Sequence, residues 1–169
     1  MKYLQYVLLV SILLASCDSE DDGPFIQTLG SAEAYYLEIA LGSEFGSISP
    51  VVRKWSSNMK VFLSDTTSQE LQNEFEKIRA EINALSSSIQ IERVATIQES
   101  NFEIYLTGQS RYVNDKPEAA ENAVNNWGLF WIYWQNGSEI YRGHMYVDIE
   151  RTTELSCQKH LLREELTQA

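Results

Sequence analysis

Three polar side chains near the end of the chain have the spacing of metal ligands. His160, Glu164 and Gln168 follow one another at intervals of four residues, so on a helix they form a row along one face. A His-x-x-x-Glu pair allows two side chains to converge on one cation, and zinc or another divalent metal is the cofactor that such a row would hold. The alternative interpretation is a solvated or hydrogen-bonded helix face.

Cys17 is the second residue whose setting indicates chemistry. It follows one basic residue (Lys2), an apolar run over 6–15 and the tripeptide Leu14-Ala15-Ser16, which is the order of a secretory signal. The run is about half of the roughly 20 residues that span a membrane. Leu-Ala-Ser-Cys resembles the lipobox of bacterial lipoproteins, and the resemblance implies cleavage before Cys17 and its lipidation. The alternative is an ordinary secretion signal with an incidental cysteine.

These features divide the chain into three parts. We expect a signal peptide over 1–16, a lipidated acidic linker over 17–29 and one domain over 30–169. Several acyl chains on one residue anchor a protein stably, so the expected partner is a bacterial membrane, and the expected location is extracytoplasmic, at the outer membrane or cell surface.

The charge balance excludes one class of partner. The formal charge is −11, and removal of residues 1–16 takes away Lys2 and no acidic residue, which leaves −12. Nucleic acid requires basic patches that neutralise its phosphates, so we expect no nucleic-acid partner. A peptide or an envelope polymer is compatible with this charge.

Helical periodicity occurs in three places. It spans 32–41, the stretch from about Thr67 to Leu85, where Thr67 and Glu70 have capping-box spacing, and the stretch from about Thr153 to the last residue. A shorter helix from about Pro117 to Asn125 is indicated by proline at a first turn. The apolar stripe of the second helix comprises Leu71, Phe75, Ile78, Ile82 and Leu85.

Strands are predicted between these helices. Candidates cover 60–63, 89–95 and 102–106, and the segment 129–134, apolar on both faces, is predicted to be a central strand. Asn136-Gly137 predicts a hairpin that leads into a return strand over 139–149. Alternation along the return strand places four polar side chains on one face: Arg142, His144, Tyr146 and Asp148. The element order predicts an α+β domain with a mostly antiparallel or mixed sheet covered by two long helices.

The last helix ends in Glu164-Glu165-Leu166-Thr167-Gln168. This motif resembles that of a family of secreted bacterial proteins, a domain-of-unknown-function family whose last conserved helix carries Glu-Glu-Leu-Thr-Gln. Supporting segments are residues 38–46, Arg53-Lys54-Trp55 and the hairpin, and the resemblance covers most of residues 30–169. In that family the motif continues beyond the position of Ala169. Because the helical pattern here has no stop signal, we expect a truncated sequence.

The family members resemble zincins, metallopeptidases whose helix carries His-Glu-x-x-His. On that motif Glu164 takes the place of the first His, Glu165 that of the general base and Gln168 that of the second His. The resemblance therefore implies a zincin-like fold, metal binding by Glu164 and Gln168, and a catalytic Glu165 that takes a proton from metal-bound water. The replacement of the two His residues by Glu164 and Gln168 matters, because imidazole suits zinc, whereas a neutral Gln carbonyl suits harder cations.

Two more features leave alternatives open. His144 would border the cleft if its strand is the edge strand that a zincin sheet presents to a peptide, or it is simply hydrogen-bonded. An aromatic cluster on the predicted hairpin would form a stacking platform for sugar or peptide, or pack in the core; its members are Trp127, Phe130, Trp131, Tyr133 and Trp134.

Two functions are compatible with these residues. The first is a metal-dependent, peptidase-like hydrolase anchored at the cell envelope, with Glu165 as its base. The second is a noncatalytic lipoprotein that uses the same scaffold to bind an envelope partner.

Overall fold

The computed structural model describes Gly30, Ala32 and residues 51–64 and 68–169. The chain divides into two compact units, residues 1–50 and 51–169, and the second unit carries the elements below. The predicted signal peptide, Cys17, the acidic linker and all but Ala32 of the helix predicted over 32–41 lie outside the described residues.

The second unit contains six strands and four α-helices among its described residues. The strands are β1 (Lys54–Trp55), β2 (Met59–Ser64), β3 (Ile91–Arg93), β4 (Phe102–Thr107), β5 (Gly128–Gln135) and β6 (Glu139–Asp148). The helices are α1 (Gln69–Leu85), α2 (Gln109–Asp115), α3 (Ala120–Asn125) and α4 (Leu155–Gln168), and short 3-10 turns cover Ile97–Glu99 and Pro117–Ala119.

All six strands belong to one sheet whose centre is β6. One flank of β6 pairs in parallel with β4 and, at its first residues, with β1, while the other flank pairs antiparallel with β5. Beyond β4 the order continues through β2 to β3, again in parallel. Four of the five pairings between described strands are therefore parallel.

This topology corrects the predicted antiparallel character of the sheet. Alternation along β4 predicts a strand with one solvated face, as in antiparallel sheets, but Phe102, Glu103, Ile104, Tyr105 and Leu106 are all buried. The polar members of the strand are buried because they find partners inside the protein, so the alternation does not mark solvent.

The sheet is covered on both faces. The larger core lies between one face and the two longest helices, α1 and α4, which contribute Leu71, Phe75, Ile78, Leu162 and Leu166. On the other face the short helices α2 and α3 contribute Tyr112 and Ala123 to a smaller core. The predicted covering by two long helices therefore accounts for only one face.

The prediction of 129–134 as a central strand is wrong. Among the described residues β5 pairs only with β6, so it lies at the outer edge of the sheet. Its two apolar faces have a different cause: Phe130 and Ile132 pack on the larger core, and Leu129 and Trp131 pack on the smaller one. Two covered faces do not require a neighbouring strand on each side.

Local signals in the sequence locate several element boundaries. Asn136 and Gly137 have positive φ angles of 49° and 82°, as the predicted hairpin requires, and Pro117 opens its short helical segment. The helix predicted from about Thr67, a residue outside the described part of the chain, begins at Gln69, because the capping side chain is that of Ser68, which accepts the hydrogen bond from the backbone N–H of Leu71. Leu85, predicted in the apolar stripe, is 89% exposed at the end of α1.

We expect Gly143→Ala to destabilise the domain. A Cβ at this position would lie 2.7 Å from a ring carbon of the buried Phe102 and 2.8 Å from the carbonyl oxygen of Trp131, and neither atom can move without disturbing the sheet. The expected loss is about 1–3 kcal/mol in the free energy of unfolding, measured by chemical denaturation.

Gly108→Ala is the matched control. A Cβ at Gly108 would meet only the carboxyl group of Glu150, an exposed side chain that can swing into solvent. Its cost should stay below about 1 kcal/mol. Equal losses for the two variants would contradict the tight approach assigned to Gly143.

Candidate functional site

The predicted metal-ligand row lies on the exposed side of α4. His160 and Glu164 have side-chain exposures of 76% and 44%, and Nε2 of His160 lies 3.6 Å from Oε2 of Glu164. Gln168 is exposed as well. At 100° per residue the row lies opposite Leu162 and Leu166, which face the core. A cation held there would have this helix and water as its ligands.

Glu165 points in a different direction from the row. It is buried, with 9% of its surface exposed, and it lies against the start of β5: a Cβ built on Gly128 would be 2.6 Å from its Oε1. The lack of a side chain at Gly128 therefore allows the carboxyl group to approach the backbone of the outer strand. The structure separates the predicted base from the predicted ligands around the helix.

Within the residues that the structure describes, no group of three or more His, Cys, Asp or Glu side chains could hold a metal ion.

A polar cluster lies on the second face of the sheet, with the fully buried His144 at its centre. The hydroxyl group of Tyr112 lies 2.9 Å from Nδ1 of His144, and that of Tyr133 lies 3.2 Å from Nε2. Glu118 approaches the same Nε2 at 3.3 Å and accepts a hydrogen bond from Tyr133. The ring of Trp131 is parallel to the imidazole, with centroids 6.5 Å apart.

One arrangement of protons satisfies all of these contacts. Tyr112 donates to Nδ1, the Nε2–H group of His144 donates to the Tyr133 hydroxyl oxygen, and Tyr133 donates to the Glu118 carboxylate, which also lies close to Nε2. Burial is the largest cause that lowers the pKa of His144 to about 4, and the ammonium group of Lys116 acts in the same direction, so that together they outweigh the attraction of Glu118 and Glu103. The imidazole is therefore neutral at pH 7.

A buried ion pair adjoins this histidine. Burial disfavours the charged form of Glu103, but hydrogen bonds from Lys116 Nζ and the Tyr105 hydroxyl, each 2.8 Å long, outweigh burial and lower its pKa. Arg142, with 54% of its side chain exposed, approaches the same carboxylate at 3.5 Å. Lys116 thus fastens the end of α2 to β4, and the trio of Glu103, Lys116 and Arg142 carries a net positive charge.

A third set of contacts lies at the end of β6, around Asp148. Asp148 accepts hydrogen bonds from the Tyr146 hydroxyl and from Arg151. The same guanidinium donates to the carbonyl oxygens of Ala123, Val124 and Asn126 at the end of α3. Hydrogen bonds therefore bind both short helices to the sheet.

Two exposed tryptophans flank the outer strand β5. Trp127 and Trp134, at its two ends, are 53% and 48% exposed, whereas Trp131 between them is half-buried. The aromatic cluster predicted from the sequence is therefore divided, since Phe130 and Trp131 pack against the cores and the terminal tryptophans face outward.

The sequence located part of the polar cluster. Alternation along β6 correctly placed His144, Tyr146 and Asp148 on one face, and the interpretation of His144 as a hydrogen-bonded histidine is confirmed. Its strand is central, however, and does not form the edge of the sheet. The partners Glu103 and Tyr112 were missed; the four-residue spacing of Tyr112 and Lys116, which puts both on one side of α2, is the signal that could have located that helix.

Comparison with known proteins places the chain in one family. A family model described as "Protein of unknown function (DUF2927)" matches residues 30–169. No curated protein and no solved structure matches the chain significantly.

The buried His144 predicts a loss of stability in mild acid. Its pKa falls from 6.5 in the unfolded chain to about 4 in the folded domain, so between these values the unfolded state binds more protons and stability decreases as the pH falls. The change is at most about 1.4 kcal/mol per pH unit and about 3 kcal/mol in total, measured by urea denaturation from pH 7 to pH 4.

Two variants isolate this contribution. His144→Gln should flatten the slope between pH 6.5 and pH 4, whereas His160→Gln, at the exposed and only other histidine, should leave it unchanged. If His144→Gln does not fold, the imidazole resonances of the wild-type protein give the pKa of His144 directly. A titration midpoint near 6.5 would refute the burial argument.

Proposed function

The chain belongs to the DUF2927 family, and we propose that it is a lipid-anchored extracytoplasmic protein whose zincin-like domain binds an extended polypeptide along the outer edge of β5. The observation that carries the peptide proposal is the single-sided pairing of this strand. β5 is eight residues long, and among the described residues only β6 pairs with it.

An unpaired strand edge presents a row of N–H and C=O groups to which another chain can add as a strand. Along β5 the backbone groups that do not pair with β6 point away from the sheet. The main-chain hydrogen bonds would provide affinity without a particular sequence, and the side chains at the edge would select among peptides. The exposed Trp127 and Trp134 are suited to this role, because tryptophan is enriched among residues that dominate binding energy.

The zincin-like part of the proposal is supported by the Glu-Glu-Leu-Thr-Gln motif and by its position. The motif lies on α4, and Glu165 lies against Gly128 at the start of β5. In zincins, to which the family is similar, an edge strand receives the peptide beside the motif helix. The placement of Glu165 beside an outer strand is compatible with that arrangement.

Metal-dependent hydrolysis is the second candidate function. It is favoured by the position of Glu165, which is buried beside the proposed peptide site, where a general base could take a proton from an attacking water. Binding without hydrolysis is favoured by the exposed His160, Glu164 and Gln168, since a cation on that row would lie on the other side of α4 from the core. We therefore place noncatalytic binding first.

The lipid anchor is supported by the lipobox-like Leu14-Ala15-Ser16-Cys17 segment. No helix within the described residues is long and apolar enough to cross a bilayer.

We expect Cys17→Ser to release the protein from membranes, because the thiol is the proposed point of lipid attachment. Fractionation of cells that produce the full chain should show the wild-type protein with membranes and the variant in the soluble fraction. Cys157→Ser, at the other cysteine, is the matched control and should remain with membranes. A membrane-bound Cys17→Ser variant that resists washing with salt and carbonate would overturn the anchor.

We expect the protein to bind extended peptides through one edge of the peptide backbone. A binder selected from a random decapeptide library would be resynthesised with N-methyl groups at alternate residues, in the odd or in the even frame. Methyl groups in the frame that faces β5 remove the donors, and binding should weaken by at least about tenfold, whereas the other frame should have little effect. The measurement is fluorescence anisotropy, and equal effects of both frames would contradict strand addition.

The same peptides distinguish binding from hydrolysis. If the domain only binds, Glu165→Gln retains affinity, the peptide stays intact in mass spectrometry, and divalent metals do not change the outcome. Cleavage of the peptide by wild-type protein, with loss of cleavage in Glu165→Gln and dependence on a bound metal, would instead establish the hydrolase.

A further inference from the structure

The hairpin between β5 and β6 ends in a group of exposed apolar and cationic side chains, here named the hairpin-end patch. Its members are Val51, Val52, Arg53, Lys54, Trp134 and Tyr141, of which Arg53 is half-buried. β1 joins the patch to the hairpin, because Lys54 pairs with Glu139 and its N–H donates to the carbonyl oxygen of Ser138 at 3.0 Å. Arg53 lies over the ring of Trp134, 4.1 Å from its centroid.

The apolar side chains of the patch are exposed to solvent, although side chains of these types are usually buried. Val51 and Val52 are 42% and 63% exposed, and Trp134 and Tyr141 are 48% and 44% exposed. These four residues account for nearly half of the nine large exposed hydrophobic side chains in the described part of the chain. Concentration of such residues at one place indicates a surface that meets another apolar phase.

The charge of the patch is opposite to that of the protein as a whole. The described segment 51–64 contains three basic residues, Arg53, Lys54 and Lys60, and no acidic residue, whereas the whole chain has 24 acidic and 13 basic residues. The hairpin adds one acidic residue, Glu139, whose carboxylate accepts a hydrogen bond from Asn136, while Arg142 approaches Glu103 on the second face of the sheet. The patch therefore forms a local positive field on an acidic protein.

We propose that the hairpin-end patch lies on the surface of an anionic phospholipid bilayer. Tryptophan and tyrosine prefer the boundary between lipid headgroups and acyl chains, and arginine and lysine reach from that depth to anionic headgroups. The valines would enter the same boundary. An acidic protein would match the charge of the patch, but an anionic bilayer matches both its charge and its apolar content.

The patch would also fix how the domain is oriented. Cys17 lies 34 residues before Val51 in the chain, so a lipid on Cys17 would hold the patch near a bilayer and raise its effective concentration there. The inference is separate from the proposed lipid anchor, because it concerns the domain surface and is tested without the lipid. It also differs from peptide binding, which uses the length of β5 and shares only Trp134 with the patch.

The test measures vesicle binding of the processed chain, residues 17–169, with Cys17→Ser so that no lipid is attached. Sedimentation with vesicles of phosphatidylcholine containing about one third phosphatidylglycerol should show binding that is at least tenfold stronger than to pure phosphatidylcholine, and that weakens as salt is raised. This comparison needs no variant. Equal binding to both vesicles, or none to either, would overturn the proposal.

Matched variants then locate the surface. Arg53→Gln with Lys54→Gln should weaken binding by roughly tenfold or more, whereas Lys77→Gln with Arg79→Gln on α1 removes the same charge elsewhere and should change it by less than about threefold. Trp134→Ala should weaken binding several-fold, whereas Trp127→Ala, at the other end of β5 and equally exposed, should not. Equal effects within either pair would contradict the assigned surface.

A second copy of the chain is the competing occupant. Light scattering of the same protein without vesicles gives its mass, and the expected species is a monomer. A dimer that Trp134→Ala converts to monomer would show that the patch is an interface between copies, and the membrane proposal would then be wrong.

Discussion

The pairing of β6 on both flanks is the constraint on which the rest of the domain depends. β4 and β1 occupy one flank and β5 the other, so this strand is buried from Gly143 to Asp148. A strand enclosed in this way must place alternate side chains on two different interior surfaces. Met145 and Val147 enter an apolar core, but His144, Tyr146 and Asp148 enter the other surface, where each polar group requires a partner. The short helices α2 and α3 lie where they provide those partners.

The two faces of the sheet are consequently stabilised in different ways. On the face of α1 and α4, the covering helices bury apolar stripes, a contribution that depends little on pH. On the other face, α2 is seven residues long and α3 six, too short to be stable without tertiary contacts. Bonds from Tyr112 to His144 and from Lys116 to Glu103 hold α2, and Arg151 holds the end of α3. Loss of one buried partner would leave another unpaired, so this face is the more sensitive to substitution and to acid.

Sequence patterns predicted the features that depend on residues close together in the chain. They did not predict strand pairing or exposure, which depend on residues far apart in the chain. The positive φ angles at Asn136 and Gly137, the proline start at Pro117 and the alternation of β6 follow from local geometry, and the structure has all three. Parallel pairing could not be recognised, because the buried Glu103 resembles a solvent-facing residue until Lys116 is known to lie beside it. For the same reason the sequence placed the predicted metal ligands in one row on α4 but could not show that the row is exposed. Its exposure depends on the core residues that Leu162 and Leu166 contact on the opposite side of the helix.

The two proposed surfaces use different parts of β5 and share only Trp134 at its hairpin end. Gly128, which adjoins Glu165, begins β5, and Trp134 lies six residues further along, a distance of about 20 Å in an extended strand. With the hairpin-end patch on a bilayer, β5 would run towards the lipid, and Glu165 would lie beside the end of the strand that is farther from it. A polypeptide added along the outer edge would then extend from the membrane surface outward, with its main chain in register with β5.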